Sequence, residues 1–100
     1  MDRSEVLSLI VKTETKNELG IFETTEGERQ VYCSVESIGS AEFFSAGQNG
    51  LKPSLKFTLF RYDYNDEQTL VYKGVRYSIY RTYVKKGEFV ELYCEKDVGT

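Results

Sequence analysis

A small all-β domain is what the sequence predicts: an antiparallel β-barrel of six to seven strands with one short helix and one long loop. Three observations lead there. Short runs rich in Val, Ile, Thr, Tyr and Phe recur along the chain, Gly, Asn and Asp punctuate them, and helical periodicity is nearly absent. One hundred residues with 40% hydrophobic side chains and a single proline suit one globular domain spanning 1–100. A chain of that length buries about two-thirds of the surface it exposes when unfolded.

Residues 5–13 (EVLSLIVKT) read as the first strand. The turn-forming stretch Lys16-Asn17-Glu18-Leu19-Gly20 follows, then a short strand over Ile21–Thr25, with Glu26-Gly27-Glu28 as a hairpin turn. In residues 29–38 (RQVYCSVESI), Val31, Cys33 and Val35 share one face and Tyr32, Ser34 and Glu36 the other, the alternation of a half-buried strand. The rhythm breaks between Gly39 and Pro53. Residues 40–47 (SAEFFSAG) suit one or two helical turns, with Ser40 as N-cap and Gly47 ending the helix at positive φ. So short a helix needs docking energy. Phe43 and Phe44 are expected to supply it, at least one of them plugging the end of the barrel.

After the turn-rich Gln48-Asn49-Gly50-Leu51-Lys52-Pro53, residues 54–62 (SLKFTLFRY) form a strand with Leu55, Phe57 and Leu59 on one face. Asp63, Asp66 and Glu67 around Asn65 lack the glycine and closing glutamate of a calcium loop at the required spacing, so a solvated turn is expected. Residues 69–84 give two strands broken at Lys73-Gly74. A Lys85-Lys86-Gly87 turn and a last strand at 88–95 complete a three-strand meander. Within it Val75, Tyr77, Ile79, Arg81 and Tyr83 are the predicted core-facing set, with Arg81 escaping at the barrel end; Arg76, Ser78, Tyr80 and Thr82 face out.

Composition excludes several kinds of chemistry. Without histidine there is no Ser-His-Asp or Cys-His arrangement, no HExxH motif and no imidazole acid-base catalysis. Cys33 and Cys94 form no CxxC pair and cannot furnish a four-thiolate site; each is expected to be a small buried hydrophobe, a disulfide being the other reading. Neither GxxxxGK[ST] nor GxGxxG occurs. No apolar run is long enough for a transmembrane span or a signal peptide, so no membrane partner is expected. The expectation is a protein that is not an enzyme and has no catalytic, cofactor or metal residues.

Tyr72, Tyr77, Tyr80, Tyr83 and Tyr93, interleaved with Arg76 and Arg81, admit two readings. They are a stacking platform for single-stranded nucleic acid, or they are cross-strand pairs and barrel-wall packing. The net charge of -3 supplies no electrostatic groove and favours packing.

The ordered strings V-Y-C-S-V-E-S-I, E-F-F-S-A-G, G-L-K-P, F-R-Y-D-Y-N-D-E, Y-S-I-Y-R-T-Y and V-E-L-Y-C-E-K closely resemble the head-tail joining, or head closure, proteins of long-tailed bacteriophages and related prophages of Gram-positive bacteria. The resemblance runs from about Leu7 to Gly99. It implies a structural, non-catalytic virion protein at the head-tail joint, made in the host cytoplasm during assembly. Such proteins form a ring beneath the portal and adaptor rings, close the DNA channel after packaging and present a docking surface for the tail.

By position, the resemblance places Gln48, Asn49, Gly50 and Lys52 near the channel and its DNA. Glu42, Phe43, Phe44 and Leu51 fall at a subunit or adaptor interface. The implied partners are further copies of the chain in a twelvefold ring, the adaptor or portal ring, a tail terminator or tail-completion protein, and the DNA passing through; no cofactor is implied. In isolation a monomer is expected, assembling only on its upstream ring. The alternatives are a tail-completion or terminator protein, and a small barrel binding single-stranded nucleic acid.

Overall fold

Side chains from every strand alternate inward to make one core: Leu7, Leu9, Val31, Cys33, Phe57, Leu59, Leu70, Tyr77, Val90, Leu92 and Cys94 are all buried. The computed structural model describes residues 4–85 and 87–97, so Lys86, Val98 and Gly99 lie outside it. The elements are β1 (Glu5–Lys16), β2 (Phe22–Ser37), α1 (Ser40–Gly47), β3 (Pro53–Phe60), a 3₁₀ turn (Arg61–Asp63), β4 (Thr69–Tyr72), β5 (Val75–Val84) and β6 (Phe89–Lys96). They close into an antiparallel barrel in the order β1-β2-β3-β6-β5-β4, so the expected small barrel with one short helix is the observed fold, with six strands.

Phe57 anchors the centre, with the rings of Tyr72 and Tyr77 edge-on to it at 5.2 and 5.8 Å. The predicted inward set on β2 and β3 holds: Val31 and Cys33 are core residues, Phe57 and Leu59 are fully buried, and Val35 and Leu55 pack against them. Closure is narrow. β1 meets β4 only through Ser8 with Val71 and Leu9 with Leu70.

Two local expectations are corrected. The chain does not turn at Glu26-Gly27-Glu28; β2 runs through it, with Gly27 opposite Val11 and Glu26 opposite Lys12. The reversal lies at residues 17–21, where the Asn17 side chain accepts from the Leu19 and Ile21 amides at 2.9 and 3.0 Å. Gly20 supplies the positive φ of +80°. One Asx-type turn therefore organises a hairpin whose outer six pairs, Val11–Gly27 to Lys16–Phe22, extend past the barrel as an arm. Six pairs reach about 20 Å at ~3.4 Å per residue, in a molecule measuring 50 × 30 × 25 Å.

The second correction concerns β5. The β5–β6 register shifts between Ile79 and Arg81, leaving Tyr80 as the extra residue of a bulge. A single inserted residue exchanges the two faces. Arg81 and Tyr83 therefore align with outward Tyr93 and Glu91, and Thr82 and Val84 with the inward Leu92 and Val90. Arg81 does not need to escape at the barrel end; the bulge has already turned it outward.

The position of the turn is checked by paired substitutions read through amide hydrogen exchange of the arm. Gly20→Ala, at positive φ, is expected to cost the hairpin about 1 kcal/mol and to speed exchange of arm amides. Gly27→Ala has no atom within 4 Å of the added carbon and ordinary strand φ, so protection is expected to stay equal or to rise.

Candidate functional site

Helix α1 and the turn after it hold every position that the sequence singles out as a site, and the structure keeps them together on the outside of the barrel. Gly39, not Ser40, is the N-cap, and no side chain caps the helix. Gly47 is not the positive-φ terminator either. The chain continues through Gln48 in right-handed helical geometry, the Asn49, Gly50 and Leu51 amides bond to Ala46, Gly47 and Ala46 carbonyls at 3.0–3.2 Å, and the reversal falls on Gly50 at φ +80°. The extra turn satisfies carbonyls that a stop at Gly47 would have left open.

The phenylalanines do not dock the helix. Phe43 and Phe44 are 49% and 69% exposed and meet each other edge-to-face at 6.0 Å. Ala46 is the buried helical residue. The second hold is polar. The half-buried Glu42 carboxylate accepts from the Tyr80 hydroxyl at 3.0 Å and from the Arg81 guanidinium. Neither Phe43 nor Phe44 plugs the barrel. At the end where β3 leaves, Tyr64 packs against the core, and Arg29, inward-facing opposite Leu9, bonds to the Asp63 carbonyl and to Glu67 at 2.8 Å. Asn65 also donates to Glu67, so this acidic turn is tied to Arg29 and its own backbone.

Beyond α1, Gln48, Asn49, Gly50 and Lys52 are exposed and Leu51 is half-buried. The Lys52 amide donates to Glu95 at 3.1 Å, which ties the segment to β6 just before Pro53 opens β3. The exposed set displays two amide side chains and one ammonium group.

The bulge that turns Arg81 outward also builds the wall under α1. The Arg81 guanidinium lies over the Tyr93 ring, 4.0 Å from its centroid. Tyr93 donates to Glu91 at 3.1 Å, and Glu91 is ringed by Lys56 and Lys85 at 3.3 and 3.6 Å. Burial pushes the Glu91 carboxyl up, but donation from Lys56 and Tyr93 and the charges of Lys56 and Lys85 outweigh it, so it titrates below its ordinary value. Burial likewise opposes the Lys56 charge, yet its bond to Glu91 and the charges of Glu91 and Glu36 raise it. Tyr80 is raised by burial and by its bond to Glu42. The sequence reading named Tyr80, Arg81 and Tyr93 but did not bring them together with Glu42 and Glu91, because unbroken alternation put Arg81 on the face opposite Tyr80.

The tyrosines and arginines of the meander are largely committed within the chain. Tyr77 is in the core, Tyr72 packs against it and donates to Glu5 at 2.6 Å, and Arg76 meets Glu26 at 3.2 Å and Asp97 at 3.6 Å. Cys33 and Cys94 are free and buried. Burial and the Glu5 charge push the Cys33 thiol up to about 11, and burial alone pushes Cys94 up.

A groove of about 430 Å³ between the arm's root and residues 65–69 is lined by Ile10, Val11, Lys12 and Arg29. Among the described residues no cluster of acidic or cysteine side chains is placed to hold a metal ion, and no helix is long and apolar enough to cross a membrane. Neither known protein families nor curated proteins yield a match to this chain.

Equilibrium urea unfolding checks how α1 docks. Phe43→Ala and Phe44→Ala are expected to stay within about 0.5 kcal/mol of the parent. Leu92→Ala, in the core, is expected to cost about 3 kcal/mol. A large loss at either phenylalanine would contradict the docking described above.

Stability against pH checks the Glu91 wall. A carboxyl held below its unfolded value stabilises the fold at neutral pH, and that contribution disappears as pH falls through the folded value. Glu91→Gln is expected to be less stable than the parent at neutral pH, by about 2 kcal/mol. Its decline in acid is expected to be shallower than the parent's.

Proposed function

We propose that the chain is a structural component of the phage head-tail joint, a head closure protein acting as a ring below the portal and adaptor. The ordered strings that resemble that family support this reading, and one structural observation carries it. Phe43 and Phe44 stand out from α1 while Ala46 and Glu42 do the docking, so two large apolar side chains are displayed where the resemblance puts a subunit or adaptor contact. Exposed apolar clusters of this kind mark interaction surfaces.

Beside them, Gln48, Asn49, Gly50 and Lys52 project from the same segment. Under this reading they line the channel, a duty that suits uncharged amides. Each phosphate neutralised by a channel wall adds salt-dependent attraction that would hold back moving DNA. One lysine per subunit among neutral groups keeps that attraction small. The same reading assigns the chain no catalysis, no cofactor and no membrane contact, and places it at the virion joint after assembly in the host cytoplasm.

Deleting the reading frame from its phage or prophage and imaging induced particles by electron microscopy tests the role. Capsids that have lost their DNA, beside complete and unattached tails, are the expected outcome. Joined virions of normal form would overturn the reading. Heads carrying tails of aberrant length would move the protein to tail completion.

A further inference from the structure

The outer face of β1 carries one anomaly. Leu7 and Leu9 point into the core, so Val6, Ser8, Ile10, Lys12, Glu14 and Lys16 point out. Of that outward set only Ile10 is buried, at 5% exposure. It sits at the root of the arm, where β1 has already parted from β4. From Lys12 to Lys16 and from Phe22 to Glu28 every residue is exposed, so the ribbon itself offers little cover.

The register places an ion pair over it. Arg76 of β5 lies level with Val71 of β4, Ser8 of β1 and Gln30 of β2. Glu26 stands four residues further out along β2, opposite Lys12. On a flat sheet Arg76 and Glu26 would be three strand spacings apart, about 14 Å, and about as far again along the strands. They meet at 3.2 Å. The arm therefore coils back across the short β4 toward β5, in keeping with the strong twist of two-stranded ribbons. The bridge crosses β1 between Ser8 and Lys12, where Ile10 is the outward residue.

The guanidinium is steadied from behind. Its Nε meets Asp97 at 3.6 Å, and the Asp97 amide donates to the Arg76 carbonyl at 2.9 Å. On the arm's other face Arg29 pins the root through the Asp63 carbonyl and Glu67. Among the described residues no second ion pair joins the arm beyond Val11 to a different element.

We infer that Arg76 is a latch on the arm. With Glu26 engaged, the ribbon lies folded over Ile10; with Glu26 released, it swings about its root at Leu9 and Arg29 and carries its exposed apolar tip, Leu19, Ile21 and Phe22, with it. Release costs little. The Arg76 and Glu26 side chains are 42% and 47% exposed, where ion pairs are weak and sensitive to salt, and Lys12 stands opposite Glu26 as a second cation. The two positions also set the width of the groove between Ile10, Val11 and Lys12 and residues 65–69. The latch is internal to one chain and stands whether or not the chain acts at the head-tail joint.

Thiol labelling of the full chain tests it. Ile10→Cys puts a thiol under the bridge, and the buried native Cys33 and Cys94 serve as references. Alkylation by iodoacetamide is followed at each site by mass spectrometry. Adding Arg76→Ala is expected to speed labelling at position 10 about fivefold, the upper end of what an exposed ion pair contributes, while Cys33 and Cys94 stay slow. Glu26→Gln is expected to give the same rise, and the two together no more than either alone. Lys73→Ala, which removes the exposed pair with Glu5 at the other end of the barrel, is expected to change nothing.

An unchanged rate with Arg76→Ala would overturn the latch. So would equal acceleration at the native thiols, which would mean that the barrel opens and not the arm, or a further rise in the double variant. If Ile10→Cys does not fold, residual dipolar couplings of the Thr13–Lys16 amides decide in its place. Arg76→Ala is expected to shrink them relative to those of the barrel, and couplings identical to the parent's would overturn the latch equally.

Discussion

Closure of the barrel between β1 and β4 is the constraint on which the rest of the molecule depends. β4 is four residues long and β1 twelve, so only Ser8 and Leu9 find partners across the seam. Leu9 and Leu70, paired at that seam, are both completely buried. Burying a leucine stabilises by about 1.5–3 kcal/mol, which holds the seam where two residue pairs of backbone bonding would not. The mismatch in length has a visible consequence. Past Leu9 the first strand has no wall to join, and it leaves with β2 as the arm.

A second geometric accident shapes the opposite wall. With Tyr80 inserted as a bulge, β5 changes face midway, and Arg81 arrives on the outside beside Tyr93. Had the alternation continued, the guanidinium would have pointed at the core and needed a buried partner. Outside, it reaches Glu42 and fixes α1 through a charge-assisted bond, assisted by Tyr80. Because that polar hold and Ala46 suffice, the phenylalanines are not consumed in docking. The bulge thus links strand register to what the surface displays.

How far the sequence could be read follows from which signals are local. Alternation made the inward residues of β2 and β3 legible, and the Lys73-Gly74 break separated β4 from β5, with both residues at positive φ. The Asn17 turn was legible too, but Gly27 misled: a glycine between two glutamates looks like a hairpin when its strand partner, Val11, is sixteen positions earlier. The bulge at Tyr80 was not read, although Arg81 at a core-facing position of the alternation from Val75 to Tyr83 was its one trace. Its cause lies in pairing with β6. The orientation of α1 was misread for a related reason. Size made Phe43 and Phe44 look like anchors, whereas the docking residue, Ala46, is the one small enough to approach the barrel.

A closed six-stranded barrel is compatible with many roles, so the case for one of them must come from what its surface leaves unspent. A platform for single-stranded nucleic acid needs ring faces and cations held in reserve. Here Tyr72 and Tyr77 pack into or against the core, and Arg76 and Arg81 are ion-paired within the chain. The large apolar side chains left exposed lie in four places: the arm tip, the β5–β6 end, the face of α1 and the Val6–Tyr32 pair on β1 and β2. Exposed apolar clusters of this kind mark surfaces that meet other molecules. The face of α1 is set by Ala46 and by the Glu42 bonds to Tyr80 and Arg81, which leave Phe43 and Phe44 outside the core and facing solvent.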